Sequence, residues 1–132
     1  MTTLLANTRK ADITIGGKYR ILITAPLVRS LDLHEGDIVN IAFDKGESYL
    51  YVMQKAEEVF GRHSGRLYPP YRNASVLCVN SKHIATTILN KIGRKHTAAL
   101  AVGDIVTLPY LGKAATIIMH HLSPSTPTSI RT

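Results

Sequence analysis

The chain has 132 residues, 45% of them hydrophobic, and a net charge of +7 from 16 Lys and Arg against 9 Asp and Glu. That length bounds it to one domain, or to two halves of about 60 residues that each bury too little core to stand alone. No apolar run approaches the roughly 18 residues of a membrane span. The N-terminal segment lacks the basic-then-apolar order of a signal peptide, and Cys78 has no second cysteine to pair with, so a cytoplasmic protein is expected.

The charge is unevenly placed. Residues 1–58 carry seven basic and eight acidic side chains, whereas residues 59–103 carry seven basic and none acidic. A field of that kind favours a polyanionic partner, nucleic acid above all.

In chain order, Arg9–Ile15 has the alternation of a strand, and Gly16-Gly17 signals a turn. Lys18–Thr24 is a second strand, with Ile21-Leu22-Ile23 continuous enough for burial on both faces. Thr24 caps a short helix over 26–31, with Pro26 acceptable in its first turn and Leu27 and Leu31 facing the core. Gly36-Asp37 then forms a tight turn, in which Gly36 takes a positive φ and the Asp37 carboxylate accepts backbone N–H groups. A strand over 38–43, a hairpin turn at Asp44–Glu47 and a partner strand over 48–54 follow.

Residues 59–73 have the composition of a basic Gly/Pro linker. Arg62, Arg66 and Arg72 alternate there with Phe60, Tyr68 and Tyr71, a mixture that either contacts a nucleic-acid backbone and stacks on bases or folds back on the core. Tyr68-Pro-Pro-Tyr71 reads as a stiff turn. A strand over 74–79 holds Cys78 as a buried thiol. Asn80 or Ser81 caps a helix running to Ile92, with Ile84, Ile88 and Ile92 on one face. Gly93 ends it, and Arg94-Lys95 follow at the negative pole of its dipole.

Gly103-Asp104-Ile105-Val106 then repeats Gly36-Asp37-Ile38-Val39 at a spacing of 67 positions. A second Gly-Asp turn, a strand over 104–110, a hairpin turn at Gly112 and a return strand over 114–119 are expected. The repetition marks an internal duplication: a first repeat over 1–58, the linker over 59–73, a second repeat over 74–122, and a Ser/Thr/Pro-rich disordered tail over 123–132. The two repeats are expected to complete one another's core.

Enzyme constellations are missing. There is no phosphate-binding Gly-x-x-x-x-Gly-Lys, no Gly-x-Ser-x-Gly and no His-Glu-x-x-His. The pair His120-His121 lacks metal-ligand spacing to another donor. The sequence points to a protein that is not an enzyme and takes no metal or cofactor.

Residues 9–54 resemble the AbrB-type swapped-hairpin DNA-binding domains. The residues that carry the likeness are Arg9-Lys10 on a basic first strand, the Gly16-Gly17 turn, and the gapless run from Arg20 through Pro26, Arg29 and Gly36-Asp37. The resemblance implies a barrel of interleaved hairpins whose basic side chains reach DNA, here Arg9, Lys10, Arg20 and Arg29. Thr24 and Val28 depart from the family's usual Pro and basic residue, and Ser75 of the second repeat stands where the first has Arg20. Arg94 and Lys95, with the basic linker, would then supply further contacts.

The expected fold is mostly β: a small pseudo-symmetric barrel of two fused β-α-β-β repeats, of swapped-hairpin or cradle-loop type, with short helices. The expected function is duplex DNA binding as a transcriptional regulator. Two alternatives stay open. One is a barrel of the RIFT or double-psi type that binds a small phosphorylated ligand. The other is an interaction module, with exposed edges at 48–54 and 114–119 that would also permit a homo-oligomer.

Overall fold

The computed structural model describes residues 11–53 and 65–122. Arg9, Lys10 and Arg62 of the expected basic contacts, the first part of the linker and the tail over 123–132 lie outside the described residues.

In chain order the elements are β1 (Ile13–Ile15), β2 (Arg20–Ile23), α1 (Ala25–Ser30), β3 (Ile38–Asp44), β4 (Glu47–Val52), β5 (Gly65–Arg66), β6 (Leu77–Asn80), α2 (Lys82–Lys91), β7 (Ala98–Leu100), β8 (Val102–Leu108) and β9 (Gly112–Ile117). The described residues are thus mostly β with two short α-helices. The strands make two antiparallel sheets, not one closed ladder: β6-β2-β1-β7 and β5-β3-β4-β9-β8. One bridge, Tyr68 to Cys78, joins the run after β5 to β6 at the edge of the first sheet. No helix among the described residues is long and apolar enough to cross a membrane.

Strand alternation sets the core. Ile13, Ile15, Ile21 and Ile23 are buried from the first sheet, while Thr14 and Leu22 between them are only half-buried. The second sheet contributes Val39, Leu50, Ala115 and Ile117 to the same cluster. Helix α1 adds Leu27 and the residue that ends it, Leu31, and α2 adds Ile84, Ile88 and Leu89, the i, i+4 spacing that puts side chains on one helix face.

Both helices stop in the same way. After α1, Asp32 takes φ 54°, and the N–H groups of Asp32 and Leu33 donate to Arg29 O and Val28 O at 3.1 and 2.9 Å. After α2, Gly93 takes φ 71°, and the N–H groups of Gly93 and Arg94 donate to Asn90 O and Leu89 O at 3.3 and 2.9 Å. Each is a Schellman closure that satisfies carbonyls the helix end would otherwise leave unpaired. At the start of α2, Ser81 Oγ accepts from Ile84 N–H at 3.1 Å. Thr24 does not cap α1 in this way; its hydroxyl donates to Asp12 O at 3.3 Å and ties the helix entry to the residue before β1.

Four further features depart from the sequence expectations. Gly16 and Gly17 do not supply the left-handed residues of the β1–β2 turn; Lys18 and Tyr19 do, at φ 60° and 62°. Gly103-Asp104 is not a turn. It lies inside β8 at a register shift between Val102 and Ile105, because β7 runs into β8 through Ala101 alone and the surplus residue is absorbed as a bulge. The strands expected to present free edges, 48–54 and 114–119, instead pair with each other: β4 lies between β3 and β9, and β9 between β4 and β8, with Leu50 opposite Ala115. The proposed route to a homo-oligomer through those edges is therefore closed. Finally, part of the linker-like stretch is structural: Gly65 pairs with Val39, Arg66 pairs with Ile38, and Leu67 is buried.

Gly65 is where β5 comes closest to β6. A Cβ at this position would fall inside the Val79 side chain. Both strands are pinned, β5 by β3 and β6 by β2, so neither yields easily. Gly65→Ala is expected to destabilise the fold by about 1–3 kcal/mol, the usual cost of overpacking a tight core. Urea unfolding checks this as a lower midpoint at unchanged slope.

Candidate nucleic-acid interface

β2 and β6 run antiparallel with Arg20 opposite Asn80 and Leu22 opposite Cys78. Ile21, Ile23 and Val79 face the core, so the pleat turns Arg20 to the other side, where it is exposed. Its guanidinium does not extend freely. Nη2 donates to Cys78 Sγ at 3.6 Å, and Cys78 is fully buried. The Cys78 sulfur, and after it the Tyr68 hydroxyl, raises the Arg20 pKa above its already high ordinary value. Arg20 is thus a permanent charge with a preferred position. Beside it the Tyr68 hydroxyl donates to Asn80 Oδ1 at 3.1 Å.

The turn leading into β2 adds to this end of the sheet. Gly16 N–H donates to Arg20 O at 2.8 Å, closing the turn around Lys18 and Tyr19. Two consecutive left-handed residues that are not glycine cost about 1–2 kcal/mol each, and strain of this kind concentrates at functional sites. Ser81 N–H donates to Tyr19 O at 3.3 Å, which brings the start of α2 against the turn. Lys82 Nζ then lies 5.8 Å from the centre of the Tyr19 ring, a cation–π contact.

Lys18, Arg20 and Lys82 therefore share one end of the first sheet with Tyr19, Tyr68 and Asn80. None of the three cations pairs with a carboxylate among the described residues; the ion pairs there join His34 to Asp32 and Asp37. Such a surface offers positive charge, amide and hydroxyl groups, and aromatic faces, which are the donors and stacking groups that polyanionic strands use.

The other expected basic residues are placed differently. Arg66 Nη1 donates to Gly36 O at 2.8 Å, fastening β5 to the Gly36-Asp37 turn. Arg94 Nε donates to Thr97 O at 2.6 Å, bracing the loop after α2. Arg29 in the last turn of α1, Arg72 in the loop before β6, and Lys95 are exposed without hydrogen-bond partners among the described residues. The Gly36-Asp37 turn is a structural device: Gly36 has φ 93°, Asp37 N–H donates to His34 O at 3.0 Å, and Asp37 Oδ2 accepts from His34 N–H at 2.9 Å.

Of the three cations grouped here, the sequence singled out Arg20 and not Lys18 or Lys82. Lys18 stands two residues before Arg20, and Lys82 follows the Ser81 cap. Only the β2–β6 register and the Tyr19–Ser81 hydrogen bond bring the two together.

The chain after β9 folds back along β7. Ile118 N–H donates to Ala101 O at 3.0 Å, and Leu122 N–H donates to Ala99 O at 2.7 Å. Between them His121 Nδ1 accepts from Ala99 N–H at 3.0 Å. The acceptor role fixes the neutral tautomer with its proton on Nε2. Burial lowers the His121 pKa, with Arg94 and then His120 adding to the effect. Among the described residues no group of three or more His, Cys, Asp or Glu is placed to hold a metal ion.

A scan of the chain against protein-family models finds no match, and neither curated proteins nor solved structures yield a similar one.

His121 makes stability depend on pH with a definite sign. Its folded pKa lies below the unfolded value of about 6.5, so the unfolded chain binds the proton more tightly. The His121 contribution is complete above pH of about 6.5 and is lost as pH falls from there through the depressed folded pKa. Melting temperature is expected to drop between pH 7.5 and 5.5, and to drop less in His121→Gln, whose amide does not titrate. Parallel scans of the two proteins measure the difference.

Proposed function

We propose that the protein binds duplex DNA through the end of the first sheet that carries Lys18, Arg20 and Lys82. The observation that carries this is the grouping of three cations, unpaired with carboxylates among the described residues, with Tyr19, Tyr68 and Asn80 on one surface. The excess charge of residues 59–103 adds a longer-range attraction. Lys18 and Lys82 contribute to affinity as point charges on phosphate, while Arg20, held by Cys78, and Asn80, bonded to Tyr68, have the fixed geometry that base or backbone recognition requires.

The architecture that fits this role is a pseudo-symmetric barrel of two fused swapped-hairpin-like repeats. Four pairings support it. The hairpins β3–β4 and β8–β9 meet through β4 and β9, with Leu50 opposite Ala115. At the other side β2 meets β6, β1 pairs across with β7, and β5, in the stretch between the halves, pairs with β3. In this reading the likeness of Arg20–Asp37 to AbrB-type domains extends to function, and the protein acts as a DNA-binding regulator in the cytoplasm.

Fluorescence anisotropy with a random 30-base-pair duplex across a salt series tests the proposal. The expected result is a steep linear fall of log K with log salt. In Arg20→Gln/Lys82→Gln the magnitude of the slope is expected to fall by about two, one per phosphate contact removed. An unchanged slope in a folded double variant, or no binding by the parent chain at low salt, would overturn the assignment.

A further inference from the structure

A second polar feature lies away from the β2–β6 end. Where the chain leaves β9 and folds back beside the end of α2, a cleft of about 440 Å³ opens, lined among others by Lys91, Gly93, Arg94, Met119, His120 and His121. Its volume falls within the range of small-molecule sites, about 300–1,000 Å³. Among the described residues every ionisable side chain lining it is a nitrogen base, and none is a carboxylate.

Each base has donor capacity left over. Arg94 uses Nε on Thr97 O, which fixes the guanidinium plane and leaves the terminal Nη groups, without partners among the described residues, for a bidentate acceptor. His121 uses Nδ1 as an acceptor from Ala99, so its one ring proton sits on Nε2 and has no partner among the described residues. Lys91, which also lines the cleft, rests its Nζ over the Phe43 ring at 4.7 Å from its centre, a contact that leaves the ammonium charged.

The C-terminus of a helix is ordinarily a poor place for an anion. Here the Schellman closure occupies the carbonyls of Leu89 and Asn90 with the N–H groups of Arg94 and Gly93, and two permanent cations outweigh the remaining partial charge. Lys91 and Arg94 would also serve as simple partners for that dipole, but such a role requires neither the fixed guanidinium nor a donor histidine across a cleft.

We infer that this cleft binds a small phosphorylated ligand, with Arg94 gripping the phosphate, His121 Nε2–H donating to it and Lys91 adding charge from the Phe43 side. The inference is independent of DNA binding, since Arg20 and Lys82 take no part in it.

The test is a titration of the full-length chain with pyrophosphate and, separately, with ATP, followed by two-dimensional amide and histidine-ring NMR. Saturable shifts are expected at Gly93, Arg94, His120 and His121. Arg94→Gln is expected to weaken binding by about tenfold or more, as befits a lost charge-assisted bidentate contact. Arg20→Gln is expected to leave it unchanged. Because Arg94 also braces Thr97, Lys91→Met is titrated alongside and is expected to weaken binding severalfold; it decides the matter alone if Arg94→Gln fails to fold. Shifts that rise linearly and spread over all basic residues, equal affinity in the cleft variants and the parent, or cleft shifts produced only by duplex DNA would each overturn the inference.

Discussion

The structure depends on pairing across its two halves. β1 pairs with β7 of the second half, and β5, in the stretch between the halves, pairs with β3 of the first. β2 pairs with β6, and β4 with β9. Almost every ladder outside the hairpins therefore joins a residue of one half to a residue of the other. A half of this length buries too little apolar surface to be stable by itself, and the cross-pairing removes the difficulty by making one core from both. The same constraint explains Gly65: the strand that crosses back must pass close to Val79, and only a residue without Cβ fits.

The cross-pairing also creates the candidate interface. Lys18 and Lys82 are distant in sequence, and neither belongs to a recognisable motif. They meet because the β2–β6 register sets Arg20 against Asn80, so the turn before β2 lies against the start of α2. That turn is strained, with Lys18 and Tyr19 both left-handed while two glycines stand unused beside them. A chain free to optimise stability alone would place glycine at the strained positions. Placing a cation and an aromatic ring there aims both outward at the cost of some stability, a pattern expected where a surface is shaped for a partner.

Much of the fold was legible because it rests on local rules. Alternation around Ile21 and Ile23, the i, i+4 spacing of Ile84 and Ile88, the Ser81 cap, the Gly36 turn and the Lys45-Gly46 hairpin each follow from a few adjacent residues. Apart from the β1–β2 turn and the missing Thr24 cap, the failures share one cause, which is tertiary pairing. Gly103-Asp104 has the letters of a turn, yet β7 and β8 continue through it as a bulged strand. The apolar strands at 48–54 and 114–119 looked like unpaired edges and are partners. Gly65–Leu67 had a linker's composition and is held in the sheet. Of the three grouped cations, Arg20 alone was singled out from the sequence, through its place in a resemblance. Arg66 and Arg94 counted as basic contacts by charge alone; each donates to a backbone carbonyl, and Arg94 does so through Nε only. Their roles are set by neighbours that sequence spacing does not reveal.

The most direct test of the central claim is lysine protection. The protein, free and saturated with duplex DNA at low salt, is treated briefly with an acetylating reagent, and modification at each lysine is read by mass spectrometry. The account predicts strong protection of Lys18 and Lys82, with Lys45 at the β3–β4 turn and Lys113 on β9 modified as in the free protein. Uniform protection of all four, or protection of Lys45 and Lys113 with Lys18 and Lys82 still reactive, would contradict it.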